Sequence, residues 1–134
     1  MGMKYVVAAT SAVCVALAAP VTAQVRFERP VQVLVPYPPG GSVDISVRMV
    51  AEKITAAGGP AMVIQNRAGA GGNIAHAYTA QGPSDGSVIL FGSVGPLTIA
   101  PHMMKVPYDP FKDLAPITMG VNFPNVLVVH AGMG

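Results

Sequence analysis

The residues best suited to chemistry in this chain are glycines, serines and an asparagine gathered in short loops. "PYPPGGSVD" (Pro36–Asp44) follows the apolar run "VQVLV"; "GAGGN" (Gly69–Asn73) and "GSVG" (Gly92–Gly95) follow later apolar runs. In the first loop the prolines stop the preceding element and Gly40-Gly41 turns the chain. Ser42 and Asp44 then open an amphipathic stretch. A turn that feeds straight into a helix presents main-chain N–H groups with no internal acceptor, and the helix dipole adds partial positive charge there. Glycine lets a ligand approach that backbone without a Cβ in the way. The device suits a small anion, a carboxylate or a phosphate, and "GAGGN" repeats it. The competing reading is that both are ordinary tight turns, and the residues alone leave the two open. Asp44 is awkward beside an anion, because like charges repel. It has three roles open to it: capping its own helix, holding a ligand amino group, or ordering a water.

Other chemistries have less support. Gly69-x-Gly71 begins like a dinucleotide fingerprint, but Ile74 stands in the place of the third glycine, and no acidic residue follows at a suitable strand end. No Walker lysine follows either glycine cluster. "GSVG" is not a nucleophile elbow, so Ser93 has no motif behind it as a nucleophile. His76, His102 and His130 lie far apart without ligand spacing and read as structural or solvated. Met103-Met104 reads as core. A small α/β enzyme using the glycine loops for a nucleotide or phosphoester is therefore the alternative reading. The missing lysine, third glycine and catalytic pairs count against it.

The elements that position these loops alternate along the chain. Val31–Val35 is a β-branched run bounded by proline, hence a buried strand. In the stretch after the first loop, Val43, Val47, Val50 and Ile54 fall on one face of a helix, with Ser42 as N-cap and Gly58-Gly59-Pro60 as the stop. Ala61–Gln65 predicts a second strand, Asn73–Gln81 a short helix and Ser87–Gly92 a third strand. "SVGPLTIAPHMM" enters another short helix, and "APITMGV" and "NVLVVH" predict two more strands. This alternation predicts an α/β fold with helices packed on a mostly parallel sheet. In open α/β sheets ligands bind beyond the carboxyl ends of the strands, where all three loops lie.

Composition narrows the class. The 134 residues make one small domain at most, with mean hydropathy +0.51 and 10% charged residues. That excludes a disordered or nucleic-acid-coating chain. Lys4 precedes "YVVAATSAVCVALAA", which carries no charge, and small residues end the segment at Val21-Thr22-Ala23. Residues 1–23 thus predict a secretory signal peptide, too short for a membrane span. Cys14, the single cysteine, lies inside it, so the mature chain has no disulfide, thiol nucleophile or thiolate metal site. Seven basic and six acidic residues remain beyond Lys4, too even a balance to steer toward nucleic acid.

The ordered blocks "RPVQVLVPYPPGGSVDISVRMVAEKI", "VIQNRAGAGGNIA", "SDGSVILFGS", "YDPFKDLAPIT" and "PNVLVVH" resemble the Bug family, the periplasmic solute receptors of tripartite tricarboxylate transporters. The resemblance runs from Arg29 to His130. It implies part of the first domain of a type II periplasmic-binding-protein fold, a flytrap closing on a ligand. It implies capture of a small carboxylate for membrane transporter subunits, with no catalysis and no cofactor. It places ligand-binding residues at Tyr37, Pro38, Gly40, Gly41, Ser42 and Asp44, at Gly71, Gly72 and Asn73, and at Gly92, Ser93 and Val94. Tyr37-Pro38 departs from the apolar pair usual in the family. The resemblance also implies that residues 24–124 form a partial first domain and that residues 125–134 begin a crossover to a second domain. On that expectation the chain is a truncated receptor, and an exported but non-functional remnant is a third reading.

Overall fold

The computed structural model describes residues 29–124 and 126–133; the expected signal peptide lies outside them. Strand β1 (Val31–Val35) is followed by helix α1 (Ser42–Ala56), β2 (Met62–Asn66), a 3-10 turn (Ala70–Gly72), and α2 (Asn73–Ala80). Then come β3 (Val88–Leu90), a π-helical turn (Gly95–Ile99) and the short α3 (Ala100–Met103). The three strands form one parallel sheet in the order β2-β1-β3. Main-chain bonds carry both ladders past their formal ends: Gln32 N–H donates to Ser87 O at 2.8 Å, Arg67 N–H to Val35 O at 2.8 Å and Phe91 N–H to Leu34 O at 2.9 Å.

A central strand of a parallel sheet is covered on both faces and reads as a continuous apolar run. β1 behaves so: Val31, Val33, Leu34 and Val35 are all buried, the last two completely. Side chains alternate across a strand. Val31, Val33 and Val35 therefore meet Val47 of α1 in one cluster, flanked by Val43, Met62, Ile64, Ile89 and Phe91. Leu34 points to the opposite face. The chain leaves β1 toward β2 and then crosses back over β1 to β3. Right-handed crossovers in opposite directions put α1 and α2 on opposite faces, and α2 contributes buried Ala75 and His76 to its side.

The α/β class, the parallel sheet and the order of the first elements follow the sequence expectation. Several details do not. The inward stripe of α1 is Asp44, Val47 and Ala51, while Val50 is 45% exposed. A helix turns 100° per residue, so a four-residue step from Val47 keeps the face and reaches Ala51 rather than Val50. The N-cap of α1 is Gly41 in extended conformation, and Ser42 is the first helical residue. "APITMGV" and "NVLVVH" form no strand among the described residues. Val126, Leu127, Val128 and Val129 are 68–94% exposed; a β-branched run becomes a strand only where another edge completes its ladder. Met103, the last residue of α3, and Met104, extended just beyond it, are exposed rather than core.

Candidate ligand-binding site

In a parallel sheet of order 2-1-3 the connections from β1 and into β3 run to opposite sides. This opens a crevice above the carboxyl ends of β1 and β3, the topological switch point. The first and third glycine loops begin there, and the second reaches in from β2. Their convergence is measurable at Gly72. A Cβ built on Gly72 would lie 3.2 Å from Pro36 Cβ in the first loop, and 3.2 Å from Pro96 Cγ and 3.7 Å from Ser93 Oγ in the third. Gly72 also has φ of 101°, in the left-handed region that favours glycine. Across the crevice the Tyr37 hydroxyl donates to Ser93 Oγ at 3.0 Å, binding the first loop to the third.

The first loop is held from behind by Asp44. This carboxylate is buried although it sits in the first turn of α1. It accepts from Arg48 Nε at 3.0 Å, from Gly40 N–H at 2.9 Å and from Asn66 Nδ2 at 2.9 Å. Asn66 also donates to Tyr37 O at 3.0 Å. The end of β2, the start of α1 and both sides of the first turn thus meet at one side chain. Arg48, then the Gly40 amide and Asn66, hold the Asp44 carboxyl well below its ordinary value, because each bond favours the charged form. Asp44 thus fastens the first turn by accepting from Gly40 N–H, one residue before the Gly41 N-cap, rather than capping the helix itself. Pro38, Gly40, Gly41 and Ser42 stand exposed in front of this anchor. The first helical turn of α1 aims the N–H groups of Ser42, Val43 and Asp44 outward, since the ladder begins only with Ile45 N–H donating to Gly41 O at 3.0 Å.

The second loop turns on left-handed residues, Ala70 at φ 46° and Gly71 at 64°. A Cβ on Gly71 would meet nothing within 4 Å, so this backbone faces open space. Asn73 begins α2 and is spent on the scaffold. Its Nδ2 donates to Ala70 O at 2.9 Å, and its Oδ1 accepts from the Tyr108 hydroxyl at 2.7 Å. That hydroxyl also lies 2.9 Å from Pro96 O, and burial pushes its pKa up. His76 is fully buried one turn into α2. Its Nδ1 lies 2.9 Å from Gly72 O, and its Nε2 accepts from Ser93 N–H at 3.4 Å. In the third loop Gly92 and Val94 are exposed and Ser93 half-buried.

The expected site residues thus fall at one end of the sheet. Tyr37 bonds Ser93, Gly72 lies beside Pro36, Pro96 and Ser93, Gly40, Gly41, Ser42, Gly71 and Val94 are open to solvent, and Asp44 and Asn73 are engaged by their own scaffold. Arg48, Asn66, His76 and Tyr108 were not singled out as site-forming from sequence. Spacing links only Arg48 to Asp44, at i,i+4. An open groove between α1 and β2, lined by Arg48, Glu52 and Thr55, lies away from the strand ends. Among the described residues no cluster of His, Cys, Asp and Glu could hold a metal ion, and no helix is long and apolar enough to cross a membrane.

Residues 46–133 match the model of the tripartite tricarboxylate transporter family receptor. The chain belongs to that family. It is 41% identical over 116 residues to protein BugT of Bordetella pertussis, an alignment covering 85% of this chain and 36% of that one. The structure is similar to one solved as a periplasmic transporter, with TM-score 0.58 and 35% identity, covering 63% of this chain and 29% of that one. It is similar also to MatC of Rhodopseudomonas palustris with bound malate, with TM-score 0.54 and 33% identity, covering 66% and 30%. The chain therefore spans about a third of the length of these relatives. The family consists of solute receptors rather than enzymes, and its members work in the periplasm. These likenesses agree with the flytrap fold and receptor class expected from the sequence.

Proposed function

We propose that this chain carries the first-domain loops of an exported receptor that captures a small carboxylate for a tripartite tricarboxylate transporter, without catalysis. One observation carries the reading: the three glycine loops converge at the β1/β3 crevice and touch at Gly72, Tyr37 and Ser93. In this reading a ligand carboxylate lies against the N–H groups of the first turn of α1, with Gly40, Gly41 and Ser42 beneath it. Gly71 gives it a second stretch of bare backbone, buried Gly72 closes the loops behind it, and Gly92, Ser93 and Val94 form the third side. Tyr37 and Pro38 line the wall, and the Ser93 hydroxyl, already accepting from Tyr37, turns its own proton toward the ligand. Asp44 and Asn73 hold these loops in place. Malate bound to MatC makes a dicarboxylate the ligand class to try first. Export by residues 1–23, residues 24–124 as part of a first domain, residues 125–134 as the start of a crossover, and docking on membrane transporter subunits belong to the same proposal.

Gly41→Val tests it. Gly41 has ordinary extended backbone, and a Cβ there meets only Pro38 O at 3.8 Å, so valine fits the fold while filling the cradle. Titrated with malate, the chain binds at about millimolar strength, ~4 kcal/mol, and Gly41→Val does not bind while still unfolding cooperatively, at a cost of about 1 kcal/mol for the poorer N-cap. A folded Gly41→Val protein that keeps the affinity removes this loop from the site.

A further inference from the structure

We propose that His76 is a positioning residue for this carboxylate site: uncharged, it ties the second loop to the third, and on gaining a proton it lets them part. The inference rests on the carboxylate reading above and adds regulation by acidity to it.

The geometry assigns each ring nitrogen a partner of opposite kind. Nδ1 faces Gly72 O at 2.9 Å, and a carbonyl only accepts, so Nδ1 carries the hydrogen. Nε2 faces Ser93 N–H at 3.4 Å, and an amide N–H only donates, so Nε2 presents its lone pair. Only the neutral Nδ1–H form satisfies both. An imidazolium carries a hydrogen on Nε2 as well and sets donor against donor at Ser93. His76 is fully buried, so bulk solvent does not reach the ring to soften this.

Ser93 is a sensitive place for such a push. Its Oγ takes the Tyr37 hydroxyl and lies 3.7 Å from the Cβ position of Gly72. Moving Ser93 disturbs all three loops together. Among the described residues the titratable neighbour of His76 is Tyr108, whose ring stacks with it at 6.0 Å between centroids. That hydroxyl is committed to Asn73 and Pro96 and stays neutral. Gly72 and Gly92 bring no charge from the second and third loops, and Leu97 packs over Gly92 from the π-helical turn. Asp44 and Arg48 belong to α1, across the sheet. Burial lowers the proton affinity of His76 below the ordinary 6.5, against the Gly72 bond, which raises it. The ring is thus neutral at neutral pH and charges as the pH falls below that range.

Plain electrostatics makes the opposite forecast, since a new positive charge near an anion site should tighten binding. The two are separated with the 134-residue chain and malate at about pH 7.5 and at an acid pH below the His76 titration, located by nitrogen NMR of the ring. In the ligand-free chain, nitrogen NMR of His76 should show the Nδ1–H form, and the Ser93 and Gly72 amides should titrate in step with the ring. Malate affinity should fall about tenfold more in the wild type than in His76→Gln, as the loss of one hydrogen bond implies. Glutamine keeps an acceptor but does not titrate, and the comparison cancels the ligand's own protonation. An Nε2–H ring, a Ser93 amide that ignores the titration, or equal losses in both proteins overturns the proposal. If malate binds neither protein at either pH, the carboxylate reading falls, and the Ser93 and Gly72 amides still decide whether His76 ties the loops. They decide it likewise if His76→Gln fails to fold.

Discussion

Replacing Gly72 by alanine should be a damaging small change in the loops, and its cost can be worked from the contacts. The left-handed backbone at φ 101° costs a residue with a Cβ about 1–2 kcal/mol. The new methyl would stand 3.2 Å from both Pro36 Cβ and Pro96 Cγ, inside the ~3.5–4.0 Å optimum for carbon pairs. Neither neighbour yields cheaply, because both are proline ring atoms. Overpacking of this kind costs about 1–3 kcal/mol, and the lower entropy of the unfolded alanine chain returns about 0.4–1 kcal/mol. The net expectation is a loss of about 2–3 kcal/mol, or roughly 10 °C in Tm for a domain of this size. Gly71→Ala is the internal control. It has positive φ as well, 64°, but its Cβ meets nothing within 4 Å, so it bears the backbone strain without the crowding. Urea unfolding of the two variants should separate them by about 1–3 kcal/mol, the crowding alone. Equal stabilities within ~0.5 kcal/mol would mean that the three loops do not close on Gly72, and the geometry of the crevice would be wrong.

Other expectations follow from the same contacts. Asp44 has a folded pKa below the ordinary 3.8, so its stabilisation is complete above that value and is lost as the pH falls below it; Asp44→Asn should flatten this limb of an acid-unfolding curve, and an unchanged limb would deny the anchor. Tyr108→Phe removes the hydroxyl shared by Asn73 Oδ1 and Pro96 O and should cost about 1–3 kcal/mol in chemical unfolding; no loss would show that water replaces it. The exposed run Val126–Val129, with Leu127 at 94%, should make the chain associate as its concentration rises, and Leu127→Lys should reduce the scattering; a monodisperse wild type at every concentration contradicts this.

The parallel sheet and its first helices were legible because their signals are local. Val31–Val35 is apolar throughout, and prolines and glycines mark where it stops. The glycine loops were legible for the same reason, and the 2-1-3 strand order then brings them together. What escaped the sequence reading is set by long-range pairing. Asn66 reaches Asp44 across 22 residues and Tyr108 reaches Asn73 across 35, separations at which no spacing rule operates. His76 looks like a lone histidine on a short helix, and its function as a tie emerges only when β3 delivers Ser93 to it. The error at Val50 came from treating every apolar residue at helical spacing as inward, when Asp44 and Ala51 occupy that face. "NVLVVH" has the composition of a strand, but composition supplies no partner edge.

The central claim is that the three glycine loops form one carboxylate site, and amide-resolved NMR of the chain titrated with malate tests it most directly. The account predicts concerted shifts at Gly40–Asp44, Gly71–Asn73 and Gly92–Val94, saturating at about millimolar ligand. Shifts confined to the groove at Arg48, Glu52 and Thr55, or in only one of the loops, would contradict it.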